Sequence, residues 1–407
     1  MLSRIGRWID ERAHLSDLWR SQMVDYKVPK NLTFPYVFGV FALVAFAIQI
    51  ISGIFLTMYY QPNVHTAFDS ANYTIMKEVP FMWLIRHVHA AGANFFLAVV
   101  YLHIFTGIYY NAYKKPRELT WIVGWVIYFV LLVTALTGYL LPWGQLSYWG
   151  MVVTAEIPTA IDSAPIIGKL KIGETVSIWM KGGYEIGQIT LGRFFGLHIW
   201  LLPLILLVLV GIHLYLVRAA GISNPEGREI DKKKEGVPFH PYMTLKEGAY
   251  VMGYLAVFFF FVFFYMHHFL PPDNYDPADP FKTPAHIAPE WYLLAYYTIF
   301  RSIPDKFLGF VAFNLTLVFL LILPFLDFSP IKSARNRPLF FIMFIILVIS
   351  SMALTILGTM PPTPTNAMLG LIFTAGLFAF FLSLPIISII EWGWYKAKGG
   401  EKQGRVI

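Results

Sequence analysis

Apolar residues in this chain run in long charge-free blocks with polar stretches between them. Eight blocks can be read, at roughly 34–60, 88–112, 119–141, 194–217, 248–270, 307–326, 338–358 and 367–390. A hydrocarbon layer of about 30 Å takes about 20 apolar residues in helical form, and each block is long enough. Pro338 to Ile390 carries no charge, but Pro361, Pro362 and Pro364 split it into two, because proline cannot continue a helical hydrogen-bond ladder. The pattern predicts an all-α, polytopic membrane protein with eight transmembrane helices. Ahead of them, Ile5, Trp8, Ile9, Leu15, Leu18 and Trp19 form one stripe, with Arg4, Arg7, Asp10 and Glu11 elsewhere. That suits a helix lying on a membrane surface rather than a cleaved leader.

Composition agrees with lipid as the solvent. The chain is 57% hydrophobic and 14% charged, against about 25% charged residues in a soluble domain. The net charge of +7 could suggest nucleic acid, but the positions of the basic residues indicate topology. If the N-terminus lies inside, inner segments hold 22 of the 31 Lys and Arg residues. This is the positive-inside bias, so both termini are expected in the cytoplasm, with no nucleic-acid partner. The implied organisation is a surface helix at 1–33, a four-helix bundle at 34–217, a cytoplasmic loop at 218–247, four further helices with an outer loop at 248–390, and a cytoplasmic tail at 391–407. The outer segments 142–193 and 271–306 are aromatic, rich in Pro and Gly, and far longer than a connection needs.

Seven of the eleven histidines lie in loops or at block ends, and four sit well inside blocks: His89 and His103 in the second, His198 and His213 in the fourth. Ionisable residues at such depths are costly and mark function by default. The pairs are 14 and 15 residues apart, close to four helical turns, so each pair shares a helix face. The two blocks run in the same direction, which sets His89 level with His198 and His103 level with His213. Facing imidazoles suit axial ligation of two hemes, about 20 Å apart along the helices. Zinc would need four close ligands, and no carboxylate lies beside these histidines. Gly39 and Gly53 in the first block, and Gly124 and Gly138 in the third, repeat the 14-residue spacing. Such glycines can simply allow close helix packing; here they also suit flat heme faces pressed on bare backbone. Pro203 and the extra residue between His198 and His213 predict a kink near Pro203 in the fourth helix, with the excess taken up by tilt or by a π-type bulge before His213. There is no cysteine, which excludes disulfides, thioether-bound heme and thiolate-held iron–sulfur clusters on this chain.

Several stretches resemble the cytochrome b family of bc1 and related complexes. They are RHVHAAGANFF…YLH from Arg86 to His103, GYLLPWGQLSYWG from Gly138 to Gly150, RFFGLHIWLLP from Arg193 to Pro203, PFHPY from Pro238 to Tyr242, and PEWY from Pro289 to Tyr292. KKPRELTW, Lys114 to Trp121, is similar to the chloroplast b6f relative. The resemblance implies two non-covalent b-type hemes: a low-potential outer one on His89 and His198, and a high-potential inner one on His103 and His213. Gly39, Gly53, Gly124, Gly138 and Trp121 would line them, and Arg86 would meet a propionate.

It also implies quinol oxidation at an outer site. One electron would go to a Rieske iron–sulfur protein and on to a membrane-anchored c-type cytochrome, and the other would cross to reduce quinone at an inner site. Without cysteine, those partner centres must lie on other subunits, in a complex expected to be a homodimer. Glu290 would accept the quinol proton, with Tyr139, Gly144, Pro289, Tyr292 and Tyr297 around it. Arg218, Lys246 and Glu247 would serve the inner site. Thr106, Arg218 and Glu247 depart from the mitochondrial pattern, which commonly has Arg, His and Asp there. The rival readings are a two-heme membrane anchor of a dehydrogenase, which would lack PEWY and the long outer loops, and a proton-coupled transporter, which would show no visible absorption.

Overall fold

The computed structural model describes residues 2–231, 234–284 and 287–398, so the end of the expected tail lies outside the described residues. Among the described residues eight helices are long and apolar enough to span a membrane. We label the principal helices α1 (Leu2–Ala13), α2 (Phe34–Thr57), α3 (Met82–Tyr109), α4 (Glu118–Leu140), α5 (Gln145–Glu156), α6 (Gln188–Ala220), α7 (Thr244–Phe264), α8 (Leu294–Ser302), α9 (Lys306–Leu326), α10 (Pro338–Gly358) and α11 (Pro364–Ala397). All but α1, α5 and α8 are spanning helices. Large apolar side chains remain exposed along them, including Ile51, Phe263, Ile349 and Ile389. Lipid can cover such a surface and water cannot, and the chain is a multi-pass membrane protein.

Local sequence sets the helix ends. Asp305 caps α9 by accepting from the Leu308 N–H at 2.8 Å. Thr363 caps α11, and Pro338 and Pro364 occupy first-turn positions where no N–H is needed. The expected single surface helix is broken: His14 adopts a left-handed φ of 49°, separating α1 from Leu15–Trp19. Its apolar stripe is exposed all the same, with Trp8 at 58% and Leu18 at 57%. Several spans run beyond their apolar blocks. α3 begins at Met82, so His87 lies inside it, and α11 continues to Ala397. The long segment after α4 contains α5 and a further helix, Ile172–Lys181; we call this side the long-loop face, and the opposite side the basic face.

In the first half α2 packs on α3 and α4 on α6. In the second, α10 packs on α11, and α8 packs on α9, α10 and α11. A core of Phe46, Phe96, Leu97, Tyr128, Leu131, Leu206, Tyr292, Tyr296 and Leu317 joins the two halves. On the basic face, strand β1 (Lys27–Pro29) pairs antiparallel with β2 (Gly236–Pro238), tying the N-terminal segment to the loop after α6.

A second tie on that face is ionic and almost dry. Arg337, before α10, forks onto Asp327 at 2.6 and 2.9 Å and reaches Glu391 of α11 at 2.8 Å. Lys114, between α3 and α4, lies 3.1 Å from Asp327, and the Tyr113 hydroxyl donates to Asp327 at 2.5 Å. Burial would raise the Asp327 carboxyl, but Lys114 and Arg337 outweigh it and hold it at about 2. Burial pushes the Lys114 ammonium down to about 7 even though Asp327 pulls it up. Removing one member of such a set strands the other charges in a dry site, at a cost of about 3–5 kcal/mol. Arg337→Leu is therefore expected to lower the thermal unfolding midpoint clearly. Arg228→Ala, which breaks the exposed pairs with Glu226 and Glu235, should leave it unchanged.

Candidate functional site

The four intramembrane histidines meet in two tiers. The His89 and His198 ring centres are 6.1 Å apart with planes at 81°. Those of His103 and His213 are 6.5 Å apart with planes at 79°. Metal–imidazole bonds of about 2.0–2.1 Å, with each ring centre ~1.1 Å behind its nitrogen, put two rings that share one ion about 6.3 Å apart. Both tiers have that opening. Among the described residues no three His, Asp or Glu side chains converge, so each tier offers two imidazoles and no carboxylate, a donor set that fits axial heme ligation.

The four glycines face these rings one to one. A Cβ on Gly53 would come within 3.3 Å of His89, on Gly39 within 3.2 Å of His103, and on Gly124 within 3.1 Å of His213. On Gly138 it would lie 2.3 Å from His198, closer than atoms can approach. The bare backbone thus makes room for the ligand rings themselves. Helix α6 also solves its extra residue locally. A π segment, Leu197–Leu201, surrounds His198 and ends just before Pro203. One wide turn absorbs one residue, so the 15-residue spacing behaves like the 14-residue spacing of α3.

Two of the rings are oriented by contacts that the sequence did not single out. The Ser52 hydroxyl donates to the Ile48 carbonyl at 2.6 Å, so its lone pair is left to accept from His89 Nδ1 at 2.9 Å. His198 Nδ1 donates to the Thr134 carbonyl at 2.9 Å. In both, the proton sits on Nδ1 and the Nε2 lone pair is free to bind metal. Trp121 lies at the join of α3, α4 and α9. It packs against Gly107 and Tyr113 and donates to the Leu320 carbonyl at 2.8 Å, joining α4 to α9. Arg86 is buried and donates to the Ala71 carbonyl at 2.6 Å and Asn72 Oδ1 at 2.8 Å. Among the described residues no carboxylate pairs with it, so its charge is uncompensated by protein anions.

On the long-loop face a cavity of about 160 Å³ lies between α4, α5, α8 and α9. Its lining includes Leu132, Gly150, Pro289, Tyr296, Tyr297 and Phe313. Glu290 follows Pro289 directly and is half-buried. Burial raises its carboxyl above the usual range, and the neighbouring Tyr139 hydroxyl offsets this only in part. Among the described residues the Tyr139 hydroxyl finds no hydrogen-bond partner. Gly144 is set apart from the cavity: a Cβ there would strike the Asn274 carbonyl at 2.7 Å, so this glycine lets the two long segments lock together. Tyr292 is buried. Tyr297 carries the Arg301 guanidinium 5.0 Å over its ring.

The three residues expected at the basic face sit at the adjoining ends of α6 and α7. Arg218 lies over Tyr26 at 4.1 Å and Phe239 at 4.5 Å and donates to the Gln22 carbonyl. Lys246 donates to the Leu32 carbonyl at 2.9 Å. Glu247 is half-buried, within electrostatic reach of Arg218.

Comparisons with known proteins agree with this geometry. The family model described as Cytochrome b/b6/petB matches residues 23–221, and that described as Cytochrome b(C-terminal)/b6/petD matches 277–378. The chain is 42% identical over 403 residues to a cytochrome b of Allochromatium vinosum, covering 94% of this chain and 95% of that one. It is 40% identical to a cytochrome b of the liverwort Marchantia polymorpha, covering 92% and 89%. A solved structure described as a hyperthermophilic respiratory Complex III contains a chain 72% identical, covering 95% of this chain and 100% of that one, with a TM-score of 0.93. With both halves matched and these relatives aligned nearly end to end, the chain belongs to the cytochrome b/b6 family.

Proposed function

We propose that this chain is the cytochrome b subunit of a Complex III-type quinol:cytochrome c oxidoreductase, and that it carries the catalytic quinol site. The observation that carries this reading is the pair of imidazole tiers, each open by the width of a bis-histidine metal site and each backed by glycine. His89 and His198 would hold one b-type heme, and His103 and His213 the other. Gly53 and Gly138 would clear the first, and Gly39 and Gly124 the second. When bound, the hemes supply one-electron carriers at two depths, about 21 Å apart along α3. Arg86, buried without an anionic partner, would compensate a heme propionate.

At the long-loop face, taken as the outer side, the apolar cavity would receive the quinol ring. Glu290 would accept a hydrogen bond and then the proton from a quinol hydroxyl, and pass it outward. Its raised pKa suits that role, because the protonated form is tolerated in a half-buried setting. Pro289 and Tyr297 would bound the ring, and Tyr139 would stand beside the carboxyl. At the basic face, taken as cytoplasmic, Arg218, Lys246 and Glu247 surround the ends of α6 and α7 and would serve quinone reduction. A Rieske iron–sulfur protein and a membrane-anchored c-type cytochrome would bind at the long-loop face, within a dimeric complex of a bacterial inner membrane.

Purified protein should yield two hemes per chain, both extractable with acid acetone, since no cysteine can tether them. One heme, or heme that resists extraction, would refute the two-site assignment. His103→Leu should remove the inner heme signal from reduced-minus-oxidised spectra and leave at least part of the outer one.

Glu290→Gln keeps size and hydrogen bonding but cannot take up a proton. Quinol oxidation should fall by up to about 10²-fold, with both heme spectra intact. In the parent the base must be ionised, so activity should rise with pH through a pKa above the ordinary carboxylate range, and this limb should vanish in the variant. Turnover at the parent rate across the pH range would remove Glu290 from the mechanism.

A further inference from the structure

Three tyrosines, Tyr128 and Tyr296 buried and Tyr101 half-buried, form a directed hydrogen-bond chain that is needed neither to ligate metal nor to accept the quinol proton. The Tyr101 hydroxyl of α3 donates to the Tyr292 carbonyl at 2.6 Å. The Tyr128 hydroxyl of α4 donates to the Tyr101 oxygen at 2.8 Å. With that proton committed, the 2.8 Å contact between Tyr128 and Tyr296 must be donated by Tyr296. The chain thus begins at Tyr296, crosses α4 and α3, and returns to Tyr292, four residues upstream of its start. Tyr128 is 1% exposed and Tyr296 8%.

Phenylalanine would fill these positions at lower cost, because a buried hydroxyl is tolerated only when bonded. Here every link is made, and both ends close on the short segment that follows Glu290. A second contact holds the same segment: the Trp291 indole N–H donates to Asn94 Oδ1 on α3 at 2.7 Å. Helix α3, which carries His89 and His103, therefore grips the turn after Glu290 at two places. Tyr296 also lines the apolar cavity, and its tethered hydroxyl fixes the ring as one of the cavity walls.

We propose that Tyr296, Tyr128 and Tyr101 are positioning residues for the quinol cavity, holding its α8 wall and the Glu290 turn in fixed register with helix α3. This rests on the quinol-oxidising reading above. The link works through geometry, so breaking it should loosen the wall and weaken substrate binding more than it slows the bound substrate.

The test compares Tyr128→Phe, Tyr296→Phe and the double variant in the assembled membrane complex. KM and kcat are measured with a short-tailed quinol, alongside heme spectra and thermal midpoints. All three variants break the same Tyr296–Tyr128 bond. KM should rise threefold or more in each single variant and no further in the double, with kcat within twofold of the parent and heme spectra unchanged. Thermal stability should behave differently, falling in the singles and partly recovering in the double, because removing both partners leaves no stranded hydroxyl on that pair. A parent-like KM overturns the proposal. So does a KM that recovers with the midpoint in the double, or loss of heme, since each makes the chain a packing element only. Glu290→Gln, measured in parallel, separates the two readings. Parent-rate turnover there defeats the quinol-oxidising assignment itself, whereas slowed turnover there with parent KM in the tyrosine variants defeats only this inference.

Discussion

Two pairs of imidazoles must face each other across helices α3 and α6 at two matched depths, and much of the first half of the chain follows from that demand. Imidazole rings are bulky, and four helices must still close around them. The closure works because the helix behind each ring has no side chain at that level: Gly53 behind His89, Gly39 behind His103, Gly138 behind His198 and Gly124 behind His213. Matched depth also requires matched register. α3 is a regular α-helix through its two histidines, while α6 has one residue more and spends it in the π segment around His198. With α2 and α4 pinned by their glycines, α4 presents Trp121 and Trp125 to carbonyls of α9, and the second half docks on the first.

Lipid outside reverses the usual economy of burial. Apolar surface can be left exposed, and the interior has to satisfy whatever polar groups it holds. The chain does so in compact sets. On the basic face Lys114, Asp327, Arg337 and Glu391 neutralise one another between the two halves. At mid-depth the tyrosine hydroxyls pass one donor along until it reaches a backbone carbonyl. Arg86 differs: it is a buried cation that, among the described residues, bonds to neutral acceptors only, and it lies on the same helix as two proposed metal ligands. Buried charge without protein compensation is the kind of site where a bound anionic group belongs.

The spans, their number, the two histidine pairs and the glycine repeat were all legible in the sequence, because each is a periodic or local property: an apolar run of bilayer length, a four-turn spacing, a proline stop. The π segment was foreshadowed by one surplus residue beside Pro203. Other features had no local signature. Ser52 and the Thr134 carbonyl orient the His89 and His198 rings from neighbouring helices, 37 and 64 positions away in the chain. Trp121 read as a cofactor neighbour within KKPRELTW, and its hydrogen bond to the Leu320 carbonyl of α9 had no signal in the sequence. Arg218, Lys246 and Glu247 were grouped because they sit at the inner ends of two consecutive spans, but their contacts with Tyr26 and the Leu32 carbonyl had no signal in the sequence. The ionic set and the tyrosine chain join residues as much as 214 positions apart. Sequence alone determined which segments are helices and which faces carry chemistry, since hydrophobic length and helical periodicity act along the chain. Only the tertiary structure decided which polar groups are partners, because the dry interior makes each buried hydrogen bond or charge depend on whatever neighbouring helix happens to stand opposite.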